Sequence, residues 1–104
     1  MREELEIIVK KNQVEVKEHF KMIVLSMDFG GYIKPENYFL SYDFETIKEL
    51  NEAKESGLIE EIKKYHRECL RKNGYPIEGI KDCCFASQEE CDRDYNGNWY
   101  FFYK

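Results

Sequence analysis

The sequence predicts an α+β fold, about three to four helices packed with a small C-terminal β-sheet, with residues 1–104 forming a single domain. Three observations predict it. Apolar residues recur at helical spacing from Leu5 to Met27 and again from Phe44 to Leu70. From Ile80 onward the pattern shortens to two β-prone runs that flank a helix-start signal. The 104 residues, 42% hydrophobic and 36% charged, supply one core and a polar surface, with no room for a second domain.

Taken in order, Leu5, Ile8 and Val9 give a helical stripe, while Leu5, Ile7 and Val9 alternate as a strand would; the helix is adopted. From Val14 to Met27, the residues Val16, Phe20, Ile23, Val24 and Met27 share one face of an amphipathic helix that stops at Gly30-Gly31. A loop from Gly30 to Ser41 follows, rich in aromatics (Tyr32, Tyr38, Phe39, then Tyr42) and kept from helix by Pro35; it is expected to pack over the core. Asp43 is the expected cap of the next helix, with Phe44, Ile47 and Leu50 inward and Glu45, Glu49, Glu52 and Glu55 in solvent, ending at Gly57. A third helix buries Leu58, Ile59, Ile62, Cys69 and Leu70 and closes at Arg71-Lys72-Asn73-Gly74, a cationic last turn before Pro76. Ile80 to Ala86 reads as a strand, Ser87 with Glu90 as a capping box, and Asn98 to Tyr103 as a second strand.

Sixteen basic against 21 acidic side chains give a formal charge of -5, which repels phosphate backbones and steers the chain toward basic partners. Direct nucleic-acid binding is therefore not expected. The amino terminus has no basic-then-apolar leader, and Met22 to Leu25 is too short to span a bilayer, so a cytoplasmic protein without membrane association is expected. In that compartment the four cysteines are expected as free thiols.

Four constellations could carry chemistry. Asp92-x-Asp94-x-Asn96-Gly97-Asn98 resembles the first half of an EF-hand loop, but Tyr103 stands where a bidentate glutamate is needed; a helix end turning through Asn96-Gly97 into a strand is the preferred reading. His66-x2-Cys69 with Cys83, Cys84 and Cys91 has zinc-ligand residue types without zinc-motif spacing, so buried thiols are preferred. His19 and His66 could form an acid–base pair, yet both lie beside apolar helix stripes, and no nucleophile elbow or phosphate loop accompanies them. No cofactor, metal or catalytic residue is assigned, and a non-enzymatic, stoichiometric binding protein is expected.

The fourth constellation is the surface itself. Glu45, Glu49, Glu52, Glu60, Glu61, Glu89, Glu90, Asp92 and Asp94, with Tyr95 and Trp99, interleave carboxylates with aromatic anchors, a composition that suits a face for a basic protein partner. An acidic, tyrosine-rich chain with a helical body and the tail Ser87-x-x-Glu90…Asn96-Gly97-Asn98-Trp99-Tyr100 resembles the small bacterial immunity proteins that neutralise toxins delivered between competing cells. The resemblance covers overall character and the tail from Ser87 to Tyr103, and no family site residue is carried over. It implies a protein that blocks a basic toxin or nuclease domain by docking its acidic face on it; a monomer is expected when free. A small metal-binding protein and a nucleic-acid-mimicking inhibitor are the alternatives.

Overall fold

The computed structural model describes residues 2–28, 34–35 and 38–103. Among them five α-helices and three strands follow in the order α1 (Arg2–His19), β1 (Ile23–Asp28), β2 (Leu40–Phe44), α2 (Ile47–Ser56), α3 (Leu58–Lys72), a 3-10 turn (Ile77–Gly79), β3 (Cys84–Ser87), α4 (Gln88–Tyr95) and α5 (Trp99–Phe102). The α+β class stands. The helices number five rather than three to four, and the sheet is not C-terminal: two of its strands precede α2.

The strand order is β1-β2-β3, with β1 antiparallel and β3 parallel to the central β2. Parallel neighbours cannot be joined by a hairpin, and the α2–α3 pair supplies the crossover between β2 and β3. All five residues of β2 are buried, so both of its faces are covered. Because side chains alternate along a strand, Tyr42 faces α1 and α3, where it meets Asn12 and His66, while Asp43 faces the C-terminal end, where it meets Tyr103.

α1 buries Leu5, Val9, Asn12 and Val16, one stripe at helical spacing, and leaves Ile7 65% exposed, which settles the amino terminus as helix rather than strand. The helix expected from Val14 to Met27 is corrected: α1 ends at His19, a turn donates Ile23 N–H to Phe20 O at 3.0 Å, and Ile23–Asp28 is strand. Phe20, Ile23, Val24 and Met27 fit helical spacing, but Ile23, Leu25 and Met27 pair with Phe44, Asp43 and Ser41 of β2, with Val24 at an irregularity in the register, and that pairing wins over extending the helix. The stop placed at Gly30-Gly31, and Tyr32 of the aromatic loop, lie outside the described residues. Tyr38 and Tyr42 enter the core as expected, Tyr42 as part of β2.

Thr46, not Asp43, caps α2, accepting the Glu49 N–H at 3.1 Å; Asp43 and Phe44 belong to β2. Gly57, at φ 84°, ends α2 and begins α3 in the left-handed region that favours glycine, as the sequence indicated. α3 closes in a Schellman motif: Tyr75 N–H reaches Leu70 O at 2.9 Å and Gly74 N–H reaches Arg71 O at 3.2 Å. The strand expected over Ile80 to Ala86 is confined to Cys84–Ser87, parallel to β2. The strand expected over Asn98 to Tyr103 is instead helix α5, because Asn98 turns its side chain onto Phe101 N–H at 3.3 Å and caps it.

Candidate functional site

The register Phe44↔Ser87 brings the ends of the parallel strands β2 and β3 level, and a capped helix leaves each. Ser87 accepts the Glu90 N–H at 3.1 Å and donates its hydroxyl to Glu90 Oε1 at 3.1 Å, so the predicted capping pair is formed. Glu89 then clasps the two helix starts together. Its N–H donates to Glu45 O at 3.1 Å, and its Oε1 accepts the Ile47 N–H at 2.9 Å. Glu45, Glu49, Glu89 and Glu90 thus gather where α2 and α4 begin, where carboxylates complement the helix dipoles.

α4 carries Asp92 and Asp94 on an exposed surface. Asp92 Oδ1 accepts from Gln88 Nε2 at 2.9 Å, and Asp94 holds both of its oxygens 2.9 Å from the Arg93 guanidinium, which lowers its pKa below the usual carboxylate range. Both aspartates are helical, two positions apart, rather than in a cation-binding loop. Asn96 (φ 52°) and Gly97 (φ 79°) reverse the chain into α5.

Five consecutive aromatics, Trp99 to Tyr103, follow. Tyr103 stacks on Trp99 at 5.7 Å, meets Phe39 edge-on at 5.0 Å, and donates its hydroxyl to Asp43 Oδ1 at 3.2 Å. That end holds α5 against the sheet. Tyr100 (64%) and Phe101 (53%) are exposed, as is Tyr95 (41%), which packs edge-on against Phe102 at 5.4 Å. Trp99 is half-buried.

The acidic and aromatic residues singled out in the sequence therefore divide. Glu45, Glu49, Glu89 and Glu90 come together, with Asp92, Asp94, Tyr95 and Trp99 continuing along α4 and α5. Glu52 lies farther along α2, 3.9 Å from Lys48. Glu60 and Glu61 begin α3 at the opposite end of α2, about 15 Å from its start at 1.5 Å per residue. Glu60 is also opposed by Lys63 at 3.6 Å. Sequence reasoning missed Tyr100 and Phe101, which a strand reading assigned to a sheet. The signal was there in Asn98, a cap residue placed directly before the aromatic run.

Across the sheet, the histidines do not make an acid–base pair. His66 is fully buried on α3: Asn12 Nδ2 donates to its Nδ1 at 3.1 Å, and its Nε2–H donates to Lys81 O at 3.1 Å. Tyr42 OH stands 3.1 Å from the same Nδ1. Burial pushes the imidazole down to about 4, so it is neutral and cut off from solvent. His19 is exposed and stacks on Tyr65 at 4.3 Å. Cys69, Cys83 and Cys91 are buried and Cys84 exposed, all as free thiols. Burial pushes Cys83 up to about 12, which keeps the thiol protonated. Among the described residues no group of three His, Cys, Asp or Glu is placed to hold an ion, and no helix is long and apolar enough to cross a membrane.

No family model, curated protein or solved structure matches the chain.

Proposed function

We propose that the chain is an immunity protein that neutralises a basic bacterial toxin by docking on it through the acidic-aromatic face of α4, α5 and the start of α2. The observation that carries the reading is the exposed aromatic edge Tyr95, Tyr100 and Phe101, on the helices that continue from the carboxylates Glu45, Glu49 and Glu89. Exposed aromatic groups act as anchors because they bury large area at small entropic cost, and flanking carboxylates orient a cationic partner before contact. The bonds within the face favour presentation over catalysis. The clasp of Glu89 and the Tyr103–Asp43 hydrogen bond fix the elements, so docking costs little ordering. Bound at one to one, the protein covers the toxin's basic groove and excludes substrate, with no chemistry of its own.

The test is co-expression with the product of the adjacent gene, measuring complex stoichiometry, affinity and survival of the host. The expected result is a one-to-one complex whose affinity falls about 30-fold or more in Tyr100→Ser/Phe101→Ser, with the thermal midpoint little changed. Full protection by the double variant, or the lack of any complex with a basic toxin, would sink the proposal.

A further inference from the structure

A second feature adjoins the start of α2 at Glu49. An open groove runs between α2 and the turn that enters β1, lined by Met22, Phe44, Glu49, Glu52, Ala53 and Leu58. Phe44 and Ala53 are buried and form its floor, whereas Met22 is 39% exposed and Leu58 is half-buried at its sides. Glu49 and Glu52, one turn apart on α2, stand on its rim. Ser56, at the far end, is already engaged: its hydroxyl donates to Ala53 O at 3.3 Å and accepts the Leu58 N–H at 3.4 Å. The groove therefore offers an apolar trough and two carboxylates.

We infer that this groove receives an arginine side chain from the protein partner, its methylene stem on Met22 and Leu58 and its guanidinium between Glu49 and Glu52. The choice of occupant follows from charge and shape together. A hydrated metal ion gains nothing from an apolar floor, and an aliphatic side chain leaves the two carboxylates uncompensated. A long side chain with an apolar stem and a cationic head satisfies both. Of the two such residues, arginine presents planar paired donors that can serve two carboxylates at once. Among the described residues Glu52 pairs with exposed Lys48 at 3.9 Å, a pair weak enough to exchange for a better-placed cation. The inference rests on the toxin-binding reading for the partner's identity and on the groove alone for its chemistry.

The experiment is an NMR titration of the whole chain with acetyl-Arg-Gly-Arg-amide at low salt, alongside its citrulline counterpart, which keeps the shape and loses the charge. Saturable shifts are expected at the amides of Glu49, Glu52 and Ala53 and at the Met22 methyl, with none from the citrulline peptide. Glu49→Gln/Glu52→Gln should weaken binding about tenfold or more, and Met22→Lys, which places a cation of the protein's own in the trough, should do the same. Shifts spread equally over Glu60, Glu61 and Asp92, or a Met22 methyl that does not move, overturn the inference. The same variants separate it from the functional reading. A toxin complex weakened by Tyr100→Ser/Phe101→Ser but untouched by Met22→Lys overturns the groove assignment and leaves the immunity reading standing. Peptide in the groove with no toxin bound does the reverse.

Discussion

Two buried titratable residues on either side of β2 pull stability in opposite directions with pH. His66, enclosed by Asn12, Tyr42 and Lys81 O, is held down to about 4 from 6.5 by burial, although the Lys81 carbonyl pulls upward. The unfolded chain binds a proton below about 6.5 that the folded chain refuses until about 4. The stability tied to His66 is therefore present above the unfolded value and lost as pH falls through that window. Asp43 behaves the other way. Burial pushes its carboxyl up to about 6 from 3.8, against hydrogen bonds from Ser41 and Tyr103 that favour the charged form. Its contribution is present below the unfolded value and lost as pH rises through about 6. At roughly 1.4 kcal/mol per pKa unit, each residue moves stability by about 3 kcal/mol across its window, and the two largely offset. Asp43→Asn should therefore be more stable than the parent near neutral pH and lose more stability on acidification, whereas His66→Gln should gain stability on acidification relative to neutral pH. Urea midpoints from about pH 7 to about pH 5 check both, and profiles parallel to the parent would show that neither residue titrates in this way. The placement of His66 among Ile62, Cys69 and Leu70 on one helical stripe was legible in the sequence. Its partners Asn12 and Tyr42, 54 and 24 positions away, were not, because periodicity reports which face is buried and not what it is buried against.

Among the elements, α5 depends most on its neighbours. Four residues cannot sustain a helix alone, since nucleation fixes several dihedrals before the first hydrogen bond repays them. Its support comes from the Asn98 cap, the Trp99–Tyr103 stack and the Tyr103–Asp43 hydrogen bond. Tyr103→Phe keeps the ring and removes the donor to a buried carboxylate, so it should cost about 1–3 kcal/mol. The loss should be local: amide exchange at Phe101, Phe102 and residue 103 should accelerate while α1 and α3 keep their protection, and uniform acceleration would mean that α5 is part of the global folding unit. The same dependence explains why α5 was illegible. A run of aromatics is β-prone by itself, and here the Asn98 cap and docking on Asp43 and Phe39 favour a helix. β1 failed for a related reason, since its apolar residues fit a helical period until β2 is available to pair with them. Boundaries written in local chemistry were read correctly: Gly57 and Gly74 at positive φ, and Ser87 with Glu90 at the start of α4. The capping expectation at Asp43 went astray because an aspartate before a helix is a cap by local rules, yet here Thr46 takes the role and Asp43 is drawn into the sheet.

Across the whole molecule, the charge of -5 is spread over several faces, so long-range attraction and local contact can be separated by where charge is reversed. Glu45 and Glu49 sit beside the Glu89 clasp, on the side of the proposed docking face, whereas Glu60 and Glu61 lie at the other end of α2. Reversing either pair to lysine changes the net charge by the same amount, from -5 to -1. If attraction depended on net charge alone, both double variants would associate with a basic toxin equally slowly. If contact matters, Glu45→Lys/Glu49→Lys should slow association and also speed dissociation, while Glu60→Lys/Glu61→Lys should slow association only. Salt separates the terms further. Raising ionic strength toward about 1 M shrinks the screening length to roughly 3 Å, which should erase the association defect of the α3 pair and leave the faster dissociation of the α2 pair in place. Stopped-flow association and dissociation rates across a salt series make the comparison. Faster dissociation in the Glu60/Glu61 variant, with none in the Glu45/Glu49 variant, would move the docking face to the start of α3 and leave the aromatic edge of α5 without a role in binding.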